Sequence, residues 1–111
     1  MTKVTIEKRG KSIVKVTCDG HTNYGEKGED IVCAALSSIV QTAVLGLFRV
    51  AEVNINMERD DERGYLMFAL PETISEDEQK KADVITETML LGISDLNEGF
   101  SDFIELEVTK K

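Results

Sequence analysis

The sequence is poor in several residue types that often reveal a protein's chemistry. Its 111 residues include one histidine, two cysteines, one proline and no tryptophan. Two cysteines are too few for a disulfide framework, and the chain start lacks the apolar core of a signal peptide. We therefore expect a cytoplasmic protein with reduced thiols, in which imidazole chemistry is confined to His21.

Basic residues are also scarce relative to acidic ones. There are 13 lysines and arginines against 21 aspartates and glutamates, which gives a formal net charge of -8. This charge opposes binding to a nucleic-acid backbone, so we expect no direct nucleic-acid binding. A basic partner is compatible with it, although acidity that merely keeps the protein soluble is the simpler explanation.

Long uninterrupted apolar segments are absent as well. The best candidate, residues 31–48, carries no charge but includes the polar side chains of Ser37, Ser38, Gln41 and Thr42. We interpret it as a buried helix and expect no membrane association. The chain has no repeat or low-complexity segment, and its length suits one core, so residues 1–111 are expected to form a single domain.

Alternation of apolar and polar residues predicts five strands. In the second strand, the pattern places Val14, Val16 and Cys18 on one face. A charged turn over residues 59–64 joins the third strand to the fourth, which makes them a hairpin like the first pair. The predicted strands cover residues 4–7, 13–18, 52–58, 65–70 and 103–108.

Two helices are predicted between these strands. The first covers about residues 30–50 and is apolar nearly all round, so it must be covered on most sides, and an exposed remainder would favour a homodimer. The second starts at Ser75, whose spacing to Glu78 is that of a capping box, and Gly99 favours its end. We therefore expect the order ββαββαβ in a two-layer α+β domain, with a five-stranded mixed sheet and both helices packed on one face.

The stretch from Gly20 to Cys33 brings the only histidine close in sequence to one of the two cysteines. Gly20, Gly25 and Gly28 predict a mobile loop, and His21 directly follows the end of the second strand. Cys33 comes at the start of the first helix. A thiol at a helix N-terminus, preceded by a loop that carries an imidazole, suits nucleophilic catalysis.

A nucleophilic cysteine must be ionised, and two features favour the thiolate of Cys33. The helix N-terminus carries partial positive charge and unpaired N–H groups, and an imidazolium at His21 can fold back over the sulfur. His21 can then protonate a leaving amine and activate water. Spacing alone does not decide between a nucleophile and a small buried side chain at Cys33.

Asp30 and Ser37 share a helical face with Cys33, because they lie three residues before it and four residues after it. Asp30 is expected either to cap the helix or to orient His21. Ser37 and backbone N–H groups near Cys33 are candidates for binding a tetrahedral oxyanion. The alternative for Ser37 is a hydroxyl that bonds back to its own helix.

A metal site is a competing interpretation. Cys18, His21 and Cys33 supply three side chains that could hold zinc with an open fourth position. However, Cys18 is expected to point into the core, and the sequence offers no second pair of ligands. We therefore predict neither a bound metal nor another cofactor.

The motif around the two reactive residues resembles a known family. Gly20-His21, a glycine-containing spacer and then GEDIVCAALS at residues 28–37 resemble the signature of the bacterial ribosomal-processing cysteine protease family, Prp. Length, acidic balance and element order also fit, so the resemblance covers the whole chain. It implies a cysteine endopeptidase with Cys33 as nucleophile and His21 as its base.

The resemblance further implies a substrate and an assembly state. The family removes a short N-terminal extension from the large-subunit ribosomal protein numbered twenty-seven, and its members are homodimers. Asp30 and Ser37 match family positions, and the loop of Gly20, Gly25 and Gly28 is implied to order around the substrate. A non-catalytic acidic module that holds a basic ribosomal peptide is the alternative.

Overall fold

The computed structural model describes residues 1–26 and 30–111. Within these residues the strands and helices follow the predicted order ββαββαβ, which is confirmed. The elements are β1 (Thr2–Arg9), β2 (Ser12–Asp19), α1 (Ile31–Arg49), β3 (Asn56–Asp60), β4 (Tyr65–Ala69), α2 (Glu76–Gly99) and β5 (Ile104–Lys110).

The five strands form one mixed sheet in the order β3-β4-β2-β1-β5. The pairs β1–β2, β2–β4 and β3–β4 are antiparallel, whereas β5 runs parallel to β1. For β5 to lie parallel to β1, the chain must cross over the sheet after β4, and α2 forms this crossover connection. Buried side chains of the sheet and of both helices form one core, so the predicted two-layer α+β arrangement is confirmed.

The first hairpin departs from its predicted face pattern at Val14. The register of β1 against β2 slips by one residue there, so Val14 is an extra residue between Ile13 and Lys15. This β-bulge changes which side chains face the core, and Ile13 and Val16 are buried whereas Val14 is half-buried. The prediction that Val14 shares the buried face of Val16 and Cys18 was therefore wrong.

The second hairpin begins later than the sequence predicts. Residues 52–58 predict a strand, but β3 pairs with β4 only from Asn56 to Asp60. Val53 and Ile55 are buried before the strand begins, and the N–H of Val53 donates to the carbonyl of Leu47 near the end of α1. The predicted bounds were wrong because these apolar residues pack into the core as an extended connection between α1 and β3.

Both helices begin at their predicted capping residues. The side chain of Asp30 accepts hydrogen bonds from the N–H groups of Val32 and Cys33 at the start of α1. Ser75 and Glu78 form a reciprocal capping box at the start of α2. α1 then buries one stripe of side chains, which consists of Val32, Leu36, Val40, Ala43, Val44 and Leu47.

The apolar surface of α1 is only partly covered by its own chain. By length and composition alone the helix could cross a membrane, but its buried stripe belongs to the same core as the sheet. Ile31, Leu45 and Phe48 are exposed on its outer side. The expectation that the helix is covered on most sides therefore does not hold within a single chain, and an apolar surface remains along α1.

Candidate active site

Cys33 lies in the first turn of α1 and is half-buried. The helix begins there because Asp30 is its N-cap. The Oδ1 atom of this carboxylate accepts the N–H groups of Val32 and Cys33, both at 3.0 Å. The thiol is therefore held where the loop from β2 meets the helix.

Thr22, the residue after His21, connects this cap to the sulfur. Its buried hydroxyl donates to Oδ2 of Asp30 at 2.5 Å and lies 3.4 Å from the Sγ atom of Cys33. Its backbone N–H donates to the same sulfur at 3.4 Å. A hydroxyl has one proton, which the short contact assigns to Asp30, so the N–H is the group that stabilises negative charge on the sulfur.

Asp30 is an ionised carboxylate in a largely buried position, with 9% of its surface exposed. Burial alone opposes ionisation. Hydrogen bonds from the Thr22 hydroxyl and from the N–H groups of Cys33, Gly25 and Tyr24 outweigh burial and lower the pKa of Asp30 to about 2. Of its two predicted roles, helix capping is confirmed, and its link to the thiol passes through Thr22.

The N–H groups around Cys33 are already engaged in the helix cap. Those of Val32 and Cys33 bond to the Asp30 carboxylate, and that of Ala34 bonds to the Asp30 carbonyl at 3.1 Å. In this structure the acceptor of all three N–H groups is thus Asp30. The predicted role of backbone N–H groups near Cys33 in binding an oxyanion therefore stays a prediction.

Ser37 is joined to a chain of polar side chains along α1. Its Oγ accepts from Nε2 of Gln41 at 2.5 Å, and Oε1 of Gln41 accepts from a guanidinium nitrogen of Arg59 at 3.3 Å. Because the Ser37 oxygen accepts from Gln41, its own O–H can donate to another group in the cleft that it lines. Ser37 therefore remains a candidate donor to an oxyanion.

His21 lies just beyond β2, beside the turn between β3 and β4. Its Nε2 atom is 2.9 Å from the carbonyl oxygen of Glu62. Gly64 of the same turn lies against the ring, since a Cβ added there would come within 3.0 Å of both Cε1 and Nδ1. In this structure the imidazole is thus hydrogen-bonded to a main-chain carbonyl, whereas the sulfur of Cys33 accepts a hydrogen bond from the N–H of Thr22.

His21, Cys33 and Ser37 line a single cleft between α1 and the β3–β4 hairpin. Its volume is about 160 Å³, which is below the range for sites that enclose a whole small molecule. Such a space suits one or two side chains of an extended peptide. The opposite wall consists of Arg59, Asp60, Asp61, Gly64, Tyr65 and Leu66.

Cys18 contributes to the floor of this cleft but behaves as a core residue. It is 6% exposed, and burial raises the pKa of its thiol to about 12. A thiol with such a pKa is a poor nucleophile at neutral pH. The prediction that Cys18 belongs to the core is confirmed.

The zinc interpretation would require Cys18, His21 and Cys33 to converge on one point. Across residues 1–26 and 30–111, no group of three histidine, cysteine, aspartate or glutamate side chains is arranged to hold a metal ion. The geometry therefore gives no support to this alternative.

The glycines of the predicted loop have different environments. Gly20 is fixed in place, because its N–H donates to the Gly64 carbonyl at 3.0 Å and its carbonyl accepts the Thr2 hydroxyl at 2.8 Å. Its φ of +95° and the closeness of the Met1 carbonyl exclude a Cβ there. Gly25 lies in an exposed bend, and Gly28 lies outside the described residues. The predicted gating role stays a prediction, and Gly20 does not fit a mobile segment.

Tyr24 anchors the described part of the loop to the other end of the chain. Its ring makes edge-to-face contacts with Phe100 and Phe103, at centroid distances of 5.5 and 5.2 Å. Its backbone N–H donates to Asp30 at 3.0 Å. Tyr24 therefore packs against the connection from α2 to β5.

Comparisons with known proteins agree with this arrangement. Residues 1–105 match the family described as Cysteine protease Prp. The chain belongs to the Prp family of cysteine proteases. The Ribosomal processing cysteine protease Prp of Bacillus subtilis is 27% identical over 103 residues, which cover 92% of each chain. Its counterpart in Staphylococcus aureus is 28% identical over 93% of this chain and 92% of its own.

A solved structure shows the same fold. The crystal structure of Prp from S. aureus in complex with a covalently linked product peptide has a TM-score of 0.87 to this chain at 25% identity. The match covers 98% of this chain and 100% of that chain. The fold and the class of chemistry predicted from the Prp signature are therefore confirmed: the protein is a cysteine protease of the ribosomal-processing family.

Three features of the site were missed by sequence reasoning. Thr22 contacts both Asp30 and the sulfur, but a threonine beside a histidine carries no distinctive signal. Glu62 acts through its main chain, which every residue possesses. Gly64 gave a weak signal as the last residue of a charged turn, although its contact with the imidazole depends on tertiary structure.

Proposed function

We propose that this protein is an endopeptidase that removes a short N-terminal extension from the large-subunit ribosomal protein numbered twenty-seven, with Cys33 as nucleophile and His21 as its base. The observation that carries the proposal is the placement of both side chains in one cleft, with the Cys33 sulfur accepting an N–H from Thr22. The structure of S. aureus Prp in complex with a covalently linked product peptide supports a peptide substrate for this fold.

The reaction follows from these groups in two steps. The thiolate of Cys33 attacks the scissile carbonyl carbon, and the imidazolium of His21 protonates the amine as the C–N bond breaks, which leaves a thioester. His21 then takes a proton from water, and the oxygen of that water attacks the thioester. The S–C bond breaks, the carboxylate product leaves and the thiolate is restored.

Two further residues support this chemistry in the proposal. The Ser37 hydroxyl is the donor that we assign to the developing oxyanion, because it lines the cleft and already accepts from Gln41. Asp30 holds Thr22, whose N–H contacts the sulfur. Asp30 therefore positions the nucleophile without touching the substrate.

The charge of the protein is compatible with a ribosomal substrate. Ribosomal proteins are basic, and the chain has a net charge of -8, so long-range attraction favours their encounter. Asp60 adds a negative charge to the wall of the cleft, where Asp61 is paired with Arg59. The proposal places the reaction in the cytoplasm and requires neither a cofactor nor nucleic acid.

The decisive experiment is incubation of the purified protein with the extended ribosomal protein, followed by mass analysis of the products. We expect a single cut that releases the N-terminal extension. Cys33→Ala and His21→Ala should abolish cleavage while the fold survives, and Cys18→Ala is the matched control that retains it. Undiminished cleavage by Cys33→Ala would contradict the proposal. Peptide binding by the wild-type protein without any cleavage would instead identify a non-catalytic binding module.

We also propose that the protein is a homodimer through the outer faces of α1 and α2. The two helices enclose an apolar groove of about 520 Å³ on their exposed side, whose lining includes Ile39, Gly46, Val84 and Met89. The exposed Leu45 and Phe48 of α1 add to the apolar surface of these helices. A surface of this kind is typical of a protein interface.

Sedimentation velocity of matched valine variants tests the dimer. Val84 lines the groove and is 67% exposed, whereas Val108 on β5 is 48% exposed and lies elsewhere. Val84→Glu should shift the protein toward the monomer because it places a charge in the apolar interface. Val108→Glu should leave the association state unchanged. A monomeric wild-type protein at micromolar concentration would exclude a stable dimer.

A further inference from the structure

The turn between β3 and β4 holds the imidazole of His21 at two points. The carbonyl oxygen of Glu62 lies 2.9 Å from Nε2. The ring edge formed by Cε1 and Nδ1 lies so close to Gly64 that a Cβ there would come within 3.0 Å of both atoms. The ring is therefore located by main-chain atoms of the turn.

This turn is itself fixed to the end of β2. The N–H of Gly20 donates to the carbonyl of Gly64 at 3.0 Å. The guanidinium of Arg63 donates to both carboxylate oxygens of Asp19, at 3.2 and 2.8 Å, and lies 4.5 Å above the ring centroid of Tyr65. Bidentate pairs of this kind fix orientation as well as distance. The imidazole and its acceptor thus belong to one connected unit.

The acceptor determines which ring nitrogen carries the proton. A carbonyl oxygen can only accept, so the nitrogen that faces Glu62 must be protonated. In the neutral imidazole the lone pair is then on Nδ1. We propose that the β3–β4 turn holds His21 in the Nε2–H tautomer, and that Nδ1 is the atom that exchanges protons with Cys33 and with the leaving amine.

This inference rests on the proposed function and adds a third member to the Cys33–His21 pair. In catalytic triads, a side-chain carboxylate or amide orients the histidine and fixes its tautomer. Here the main-chain carbonyl of Glu62 orients the histidine. Gly64 is a positioning residue, because the absence of a Cβ leaves room for the ring. The identity of the side chain at residue 62 is correspondingly unimportant for the reaction.

The proton movements balance with the Nε2 bond intact. When Nδ1 takes the proton of the Cys33 thiol, the S–H bond breaks, an N–H bond forms and the ring becomes an imidazolium. The hydrogen bond from Nε2–H to Glu62 then becomes charge-assisted and stronger, which stabilises the ion pair. Nδ1 later gives the same proton to the leaving amine.

Nitrogen NMR tests the tautomer directly, because the chain has a single histidine. In a long-range proton–nitrogen spectrum of the neutral imidazole, we expect Nε2 to be protonated and Nδ1 to have the shift of an unprotonated nitrogen. A proton on Nδ1 would overturn the inference even in a protein that cleaves its substrate. Absence of cleavage by a protein with the Nε2–H tautomer would contradict the proposed function instead.

Substitution of Gly64 tests the positioning role. Gly64→Asn adds a Cβ within 3.0 Å of the ring and of the carbonyl carbon of Gly20, and asparagine tolerates the positive φ of +71°. We expect kcat to fall on the order of 10²-fold, with little change in KM and an altered pH profile and tautomer. Gly10→Ala is the matched control, because it carries a positive φ of +63° in another hairpin turn with open space around the added carbon. It should keep the wild-type kcat and tautomer.

The two substitutions together separate displacement of the ring from a general loss of stability. Thermal unfolding of each variant shows that it is folded at the assay temperature. A folded Gly64→Asn variant with the wild-type kcat and the wild-type nitrogen shifts would overturn the inference. Equal losses of kcat in Gly64→Asn and Gly10→Ala would also overturn it, since Gly10 has no contact with the imidazole.

Discussion

Thr22 approaches the sulfur of Cys33 with two groups, because its backbone nitrogen and its Oγ atom both lie 3.4 Å from Sγ. The same hydroxyl donates to the carboxylate that caps α1. One buried residue therefore links the start of the helix to the nucleophile.

Thr22→Val should lower both stability and activity. The substitution keeps the shape of the side chain but removes the hydroxyl donor to Asp30, and a hydrogen bond to a charged group contributes about 1.5–3 kcal/mol. Thr22→Ser should retain most of both properties. Thr86→Val is a matched control, since the buried Thr86 hydroxyl bonds within α2, and it should affect stability only. Urea unfolding and cleavage rates measure the two effects, and wild-type values for Thr22→Val would refute the link.

The two thiols should react with iodoacetamide at very different rates. Cys18 is buried and the pKa of its thiol is raised to about 12, whereas Cys33 is half-buried at a cleft. At pH 7 we expect modification of Cys33 alone in the folded protein, and of both thiols after denaturation in urea. Peptide mapping by mass spectrometry identifies the modified residue. Equal rates in the folded state would be incompatible with an activated nucleophile at Cys33.

Asp30 should contribute pH-dependent stability in the acid range. The pKa of Asp30 is about 2 in the folded protein, below the ordinary value of about 4 for the unfolded chain. Its contribution is therefore complete above roughly pH 4 and is lost as the pH falls toward 2. Asparagine also caps helices, so Asp30→Asn removes the charge and keeps the cap.

Denaturant unfolding at a series of pH values measures this contribution. The difference in unfolding free energy between wild type and Asp30→Asn should be largest near pH 5 and should shrink as the pH falls to 2. Asp102→Asn, in the exposed turn before β5, serves as the control and should show a nearly constant difference. A constant difference for Asp30→Asn would contradict an ionised, hydrogen-bonded carboxylate.

The chain from Arg59 through Gln41 should tune the hydroxyl of Ser37. Gln41→Leu removes the donor to Ser37 and should lower kcat by about fivefold, because a net hydrogen-bond contribution of about 1 kcal/mol is then lost from the transition state. Gln79→Leu is the matched control, because Gln79 makes a similar bond to Asp83 one turn further along α2 and does not line the cleft. Cleavage kinetics with saturating substrate measure kcat, and equal values for the two variants would exclude this role.

The sequence predicts the helices of this fold better than the strands, because caps are local signals. Asp30 and Ser75 begin their helices where their side chains meet the first turn. Strand bounds depend on the neighbouring strand, which lies far away in sequence. The bulge at Val14 and the late start of β3 at Asn56 therefore could not be predicted from alternation.

The same distinction between local signals and tertiary contacts applies to the residues of the site. Cys33 and His21 could be singled out because reactive side chains are rare in the chain and follow a known signature. The partners of these residues could not, because they are common residues brought in by tertiary structure. Thr22 acts through its N–H and a short hydroxyl contact, and Glu62 acts through a carbonyl 41 residues away from His21.

The parallel pairing of β1 with β5 sets the two ends of the chain apart. Thr2 lines the cleft and donates its hydroxyl to the carbonyl of Gly20, whereas the N–H of Lys111 donates to the carbonyl of Lys8. Lys8 follows Thr2 by six residue steps along β1, a distance of roughly 20 Å. An affinity tag fused ahead of Met1 would therefore emerge beside the cleft and interfere with substrate cleavage. A tag after Lys111 would project from the opposite end of these strands.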